Sequence, residues 1–288
     1  MNTEERANLE RILKSPSYVR ASDDLQFLHR EELRPVRLML ELMKPELIQQ
    51  AHGVKSTIVV FGGTRIVERR MAEERLAAAE AAVVESANKE AARKAVDVAQ
   101  RILAKSRYYE VARELGRIVS SRCQVHGECD MVVVTGGGPG VMEAANRGAA
   151  DVQAKSMGLN ITLPHEQAPN PFITPELCFQ FQYFALRKMH FLMRAKALVA
   201  FPGGFGTLDE LFETLTLVQT GKVPRVPILL VGKWFWQRLV DWQFLVDEGT
   251  ISPEDLELFD YAETAEEVWD KIVAFHGPDI IKNGLMAK

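Results

Sequence analysis

The sequence predicts an α/β protein: a Rossmann-like, doubly wound parallel sheet with extra N-terminal helices and a helical insertion. Three observations carry that prediction. Short β-branched and aliphatic runs such as "STIVVF", "MVVVT" and "ALVAF" alternate with segments of helical composition. Runs that are apolar on both faces suit strands covered by helices on both sides, as in a parallel sheet. Three of the runs end in glycine-rich turns, "FGGTR", "TGGGPG" and "PGGFGT".

Taken in order, residues 1–52 read as an N-terminal helical extension. "LRPVRLMLELMKPELIQQ" spaces its apolar residues at helical intervals, with breaks expected at Pro35 and Pro45. Leu38, Leu40, Leu42 and Met43 are more apolar than a solvated appendage needs, so they should pack on the core or on a second subunit. Residues 53–288 read as one Rossmann-like nucleotide-binding catalytic domain. Its first strand is "STIVVFGG". An insertion at about 66–106 follows, rich in Ala, Glu, Lys and Arg and free of Gly and Pro. That composition favours helix, either one long helix or two with a break near Ser86–Asn88. "YYEVARELGRIVSSR" continues as an amphipathic helix. Strands are then expected in "DMVVVTGGGPG", "GLNITLP", "LCFQFQYF", "ALVAFPGG" and "VPILLVG". Helices are expected in "VMEAANRGAADV", "LRKMHFLMRAK", "TLDELFETLTLVQTG" and "TAEEVWDKIVAF".

Composition narrows the function. The 288 residues are 47% hydrophobic and 26% charged, as in an ordinary globular protein, with a net charge of -4. That balance argues against a generic nucleic-acid or membrane-surface binder, which carries a basic excess. No apolar run approaches the roughly 20 residues of a membrane span. "MNTEERANLERILKS" has no apolar centre, so no secretory signal is expected. The 3 cysteines fit a reducing compartment. The expected location is cytoplasmic. Cys123, His126 and Cys129 stand close together, but a fourth ligand is missing, and neither a metal nor an organic cofactor is expected.

The glycine turns point to an anion. A helix start leaves N–H groups unpaired and carries partial positive charge, and glycine lets backbone approach a ligand without a Cβ in the way. Strand, glycine turn and helix N-terminus together make a phosphate site. Gly203, Gly204, Gly206 and Thr207 meet that description, and Gly136, Gly137 and Gly138 repeat it. Gly62 and Gly63 follow the first strand. A tight strand-to-helix connection explains one such turn equally well; three in one sheet favour binding. Neither long motif is a Walker A loop, and neither matches the dinucleotide G-x-G-x-x-G, so a mononucleotide or sugar phosphate suits them better than NAD. Arg187 and Lys188 come early in a helix, where cations oppose the dipole but can grip an anion. Glu210 lies seven residues after Gly203, and Glu166 sits in the loop "LPHEQAPNP". His165 and His190 flank these segments and are read as structural.

"PGGFGTLDE" (202–210), "LRK" (186–188) and "TGGGPGVMEAA" (135–145) resemble the LOG family of cytokinin-activating phosphoribohydrolases, often labelled "lysine decarboxylase" and related to bacterial AMP nucleosidases. The resemblance runs over about residues 56–232. It implies hydrolysis of the N-glycosidic bond of a nucleoside 5'-monophosphate, either AMP or a cytokinin riboside 5'-monophosphate, to free base and ribose 5-phosphate. It implies Arg187 and Glu210 as the catalytic pair. It also implies substrate contacts from Lys188, Gly204, Phe205, Gly206, Thr207, Glu166 and Thr216, and a homodimer or higher homo-oligomer. The chain departs from the short plant form in its N-terminal residues, the 66–106 insertion, the "FGGTR" turn and the "LPHEQAPNP" loop. It resembles the longer bacterial branch more closely.

The chemistry stands beside the resemblance. Cleavage at C1' builds positive charge on the ribose, which a carboxylate can stabilise while also activating water. Glu210 is assigned that task. Arg187 either holds the phosphate or orients Glu210 and the ribose hydroxyls. The alternative reading is a non-catalytic carrier of a nucleotide or of the molybdenum cofactor, which would use the glycine turns without needing both Arg187 and Glu210. A true lysine decarboxylase would need a pyridoxal-phosphate lysine in a recognisable setting, and none is found.

Overall fold

The computed structural model describes residues 1–125, 129–163 and 168–277. The chain divides into two compact units, Met1–Glu46 and Leu47–Lys288.

The first unit is helical. Helix α1 (Thr3–Leu13) starts on a capping box, in which the Asn2 side chain accepts from the Glu5 N–H and Glu5 accepts from the Asn2 N–H. A short α2 (Leu25–Leu28) follows, then α3 (Arg34–Ala51), whose residues from Leu47 onward belong to the second unit. Arg37 Nη1 donates to the carbonyls of Leu28 and Arg30, at 2.8 and 2.6 Å. Neither proline breaks α3 as the sequence predicted. Pro35 falls in the first turn, where no N–H is missed, and Pro45 sits inside the helix. Leu40 and Met43 stay 51% and 45% exposed.

The second unit carries the sheet. Strands β1 (Thr57–Phe61), β2 (Val132–Thr135), β3 (Ser156–Ile161), β4 (Cys178–Phe181), β5 (Ala195–Ala200), β6 (Ile228–Val231) and β7 (Asp260–Ala262) pair in the order β4-β3-β2-β1-β5-β6-β7. Every pairing is parallel. β1, β2 and β6 are buried along their whole length, as their largely apolar sequences require. At the centre Val59 is in register with Val134 on one side and Leu198 on the other.

Helices α4 (Arg69–Glu85) and α5 (Lys89–Lys105) form the 66–106 region, with the break at Ser86–Asn88; the Asn88 side chain caps α5 through the Ala91 N–H. Then come α6 (Arg107–Cys123), α7 (Val141–Asp151), α8 (Phe184–Met193), α9 (Phe205–Gln219), α10 (Lys233–Leu239), α11 (Trp242–Asp247) and α12 (Ala265–His276). The core joins Leu115 and Val119 of α6, Ala144 of α7 and Trp269 of α12 to Ile58, Val133 and Val199 of the sheet. The sequence reading did not assign β7, α10 or α11. β7 has three residues, too few for a periodic signal. No helix among the described residues is long and apolar enough to cross a membrane.

Candidate functional site

In this strand order the connection reverses direction at β1, whose neighbours are β2 and β5. Ligands of open parallel sheets bind at such a switch point, outside the carboxyl ends of the strands. The three glycine turns meet there. The Gly63 N–H donates to the Pro202 carbonyl at 2.9 Å, and the Phe201 N–H to the Phe61 carbonyl at 2.8 Å. On the other side the Val141 N–H reaches the Gly63 carbonyl at 3.4 Å.

A cavity of about 320 Å³ opens at this junction, lined by Gly62, Gly63 and Thr64 after β1, Met142 of α7, Phe184 and Arg187 of α8, and residues 204–207, Asp209 and Glu210 at the start of α9. α9 begins without a side-chain cap on Gly204. The Thr207 and Leu208 N–H groups already donate to the Gly204 carbonyl, at 3.0 and 3.1 Å. Those of Phe205 and Gly206 have no backbone acceptor among the described residues. Gly204 and Gly206 have open space where a side chain would stand. The result is an uncapped, approachable helix N-terminus, the geometry that holds an anion.

Arg187 is half-buried, and two contacts fix it. Its Nε donates to the Leu159 carbonyl at 2.7 Å, and its guanidinium lies 5.2 Å from the centre of the Phe191 ring. Burial pulls its pKa below the ordinary arginine value, against the attraction of Glu210 and Asp209. Glu210 is 5% exposed. Burial pushes its carboxyl up to about 7, although Arg187 and Lys188 pull the other way. Arg187 and Glu210 thus feel each other through space, with no hydrogen bond joining them. A buried carboxyl poised near neutrality beside a fixed cation can stabilise charge or move a proton near pH 7.

The other residues singled out from the sequence take different places. Gly204, Phe205, Gly206 and Thr207 line the cavity, and Phe205 is 92% exposed. Gly203 makes room for a neighbour: a Cβ there would stand 2.1 Å from Thr207 Oγ1. Gly136, Gly137 and Gly138 do the same for Arg187, Asn160 and Met142. Lys188 does not line the cavity; it pairs with Asp209, which does, at 2.8 Å and with Glu213 at 3.1 Å. Burial lowers its pKa, but those bonds outweigh burial and hold it above the ordinary value. Thr216 is exposed two turns further along α9, where its hydroxyl donates to the Phe212 carbonyl at 2.8 Å. Glu166 and His165 lie outside the described residues. His190 is buried with its ring 5.4 Å from that of Phe181.

Sequence reasoning missed Asn146 and Asn170. Thr135 Oγ1 donates to Asn146 Oδ1 at 2.7 Å. Asn170 Nδ2 lies within 3.2 Å of the Gly137 and Gly138 carbonyls and 3.0 Å from Asn146 Oδ1. This buried cluster fixes the turn against which Arg187 rests. The only signal was the polarity of Asn146 on an otherwise buried helix face. Cys123 is also buried, which raises its thiol pKa to about 12, and no cluster of metal-ligating side chains occurs among the described residues. His126, from the same segment, lies outside them.

An all-parallel, doubly wound sheet with a glycine-lined crevice at its switch point defines a Rossmann-type α/β protein. Residues 142–272 match the family described as "Possible lysine decarboxylase". Cytokinin riboside 5'-monophosphate phosphoribohydrolase LOG3 of Arabidopsis thaliana is 30% identical over 58% of this chain and 75% of its own length. Probable cytokinin riboside 5'-monophosphate phosphoribohydrolase LOGL3 of Oryza sativa subsp. japonica is 36% identical over 34% of this chain. The chain covers about half of that relative, 48%. The chain belongs to the LOG family. Among solved structures, the molybdenum cofactor binding protein of Rippkaea orientalis overlaps 59% of this chain and 88% of its own, at 18% identity and a TM-score of 0.41. An overlap that loose says nothing about function.

Proposed function

We propose that the protein hydrolyses the N-glycosidic bond of a nucleoside 5'-monophosphate, AMP or a cytokinin riboside 5'-monophosphate, to free base and ribose 5-phosphate. The observation that carries this reading is Glu210, buried near neutrality beside fixed Arg187 in the cavity at the uncapped start of α9. The curated relatives named for phosphoribohydrolase activity support it.

The phosphate is assigned to the N–H groups of Phe205 and Gly206 and the hydroxyl of Thr207. In the reaction the C1'–N bond breaks, its electron pair leaves with the base, and positive charge spreads over the ribose. Glu210, as carboxylate, faces that charge and takes a proton from the attacking water as the water oxygen bonds to C1'. The departing base takes up one proton, and Glu210 gives its own up to solvent or to the base, which restores the carboxylate. Arg187 keeps the carboxylate ionised and oriented, since desolvation alone would favour its neutral form. Lys188 is assigned to joining α8 and α9.

We also propose a homodimer. Phe184, Met189 and Met193 on α8 and Phe205 and Phe212 on α9 are exposed apolar side chains, more than solvated helix faces carry. Light scattering showing a monomer at micromolar concentration would refute it.

Incubation with a panel of nucleoside monophosphates, with the released bases separated by chromatography, tests the activity. Release of base from at least one is expected. Binding without release would favour the carrier reading instead.

A further inference from the structure

A second cavity of about 830 Å³ shares no lining residue with the first. It lies where the end of α5 and the start of α6 meet α10, which follows the carboxyl end of β6. Its walls combine four cations, Arg101, Lys105, Arg107 and Arg238, with the aromatic rings of Tyr108 and Trp234. Arg107 bonds Glu263 at 3.2 Å. Arg101, Lys105 and Arg238 have no carboxylate partner among the described residues. Lys105 Nζ instead donates to the Arg101 carbonyl at 3.1 Å. Burial, with Arg101 adding to it, holds the Lys105 ammonium below its ordinary pKa. Three cations therefore converge without compensation, on a chain whose net charge is -4.

The aromatic side is equally specific. Trp234 is 66% exposed, though it belongs to a helix that could have buried it. Arg238 stacks on it at 5.6 Å, and Arg107 stacks on Tyr108 at 4.6 Å. An exposed ring held beside convergent cations is the combination that binds a base by stacking and its phosphates by charge. A lone monophosphate would leave positive charge uncompensated, whereas a nucleoside di- or triphosphate brings about three or four negative charges. The volume falls in the ordinary range for a small-molecule site, about 300–1,000 Å³.

We propose that this cavity is a second ligand site for a nucleoside di- or triphosphate, with the base on Trp234 and the phosphates among Arg101, Lys105, Arg107 and Arg238. The site is independent of the glycosidase reading.

Titration calorimetry of the full chain with ATP tests it. The expected result is a binding component that survives Arg187→Ala and weakens at least tenfold in Trp234→Ala and in Arg238→Ala. Both of the latter residues are on the surface, and matching circular dichroism spectra would show the variants folded. Inorganic triphosphate should bind at least tenfold more weakly than ATP, because it offers Trp234 no base. The proposal is overturned if ATP does not bind at millimolar concentration, if binding disappears in Arg187→Ala alone, or if triphosphate binds as tightly as ATP. Base release is not read, so failure here and failure of the proposed hydrolysis are separate results.

Discussion

Arg187 occupies the space that Gly136 leaves open: a Cβ at position 136 would stand 2.6 Å from Arg187 Nη2 and 3.0 Å from Met142 Sδ. The Leu159 carbonyl holds Arg187 through Nε, which limits how far the guanidinium can yield. Gly136→Ala should therefore push it away from Glu210. Base release from AMP is expected to fall at least tenfold, while the fold loses about 1–3 kcal/mol, the usual cost of overpacking. Parallel assays of base release and urea unfolding check this. Unchanged turnover would show that the placement of Arg187 is immaterial.

Glu210→Gln removes the charge while keeping the shape. Turnover should drop by about 10² to 10⁴, the worth of a positioned acid–base group. For wild type, kcat/KM should rise with pH and level off above about 7, where Glu210 ionises. The variant should lose that rise. A wild-type profile flat from pH 5 to 8 would oppose the assignment.

The same carboxyl predicts a stability effect of opposite sign. Its folded pKa, about 7, lies above the ordinary carboxylate value, so the folded state binds the proton more tightly than the unfolded state does. Its contribution is fully present below the unfolded pKa and is lost as pH rises through 7. Glu210→Gln should thus stabilise the protein at pH 8, by up to about 3 kcal/mol. The gain should shrink as pH falls toward 4.5. Melting temperatures of both proteins across that range provide the check, and a gain independent of pH would contradict the buried charge.

Asn170→Ala should loosen the turn behind Arg187. It deletes the Nδ2 contacts to Gly137, Gly138 and Asn146 and the Oδ1 bond to the Phe172 N–H. A loss of about 2–3 kcal/mol is expected, because buried partners are left unsatisfied. Urea midpoints at constant m-value measure it, and base release should fall with the loosened turn. A cost below about 0.5 kcal/mol would mean the turn holds itself.

Phosphate recognition predicts that AMP is cleaved far faster than adenosine. Binding energy from a remote group lowers the barrier as well as KM. Equal kcat/KM for the two would remove the anion site at α9.

Much of this was legible in the sequence. β1, β2 and β6 are largely apolar runs closed by glycine, and β5 ends in one, residues 197–200, a signal that survives without context. "PGGFGTLDE" carries both the uncapped turn and Glu210 on one short segment, so their nearness could be read locally. What was lost depends on distance along the chain. Gly136 serves Arg187, and Asn170 serves Gly137; neither pairing has a local trace. Lys188 read as a phosphate grip because its acidic partners, Asp209 and Glu213, lie on another helix. Pro45 read as a break because composition cannot reveal when surrounding turns keep a helix intact.

The place of β1 between β2 and β5 has a further consequence for the birth of the molecule. β5 begins at Ala195, long after β1 ends at Phe61. On the ribosome, one flank of the most central strand stays bare while β2, β3 and β4 are made. "TIVVF", with no charge and no proline, is the kind of segment that other chains can extend. Domains of this size expose such edges during synthesis and become prone to aggregation. The strand that completes the crevice is also the one that closes this edge, so a chain cut short before Ala195 would lack the pocket and would tend to stick to its neighbours.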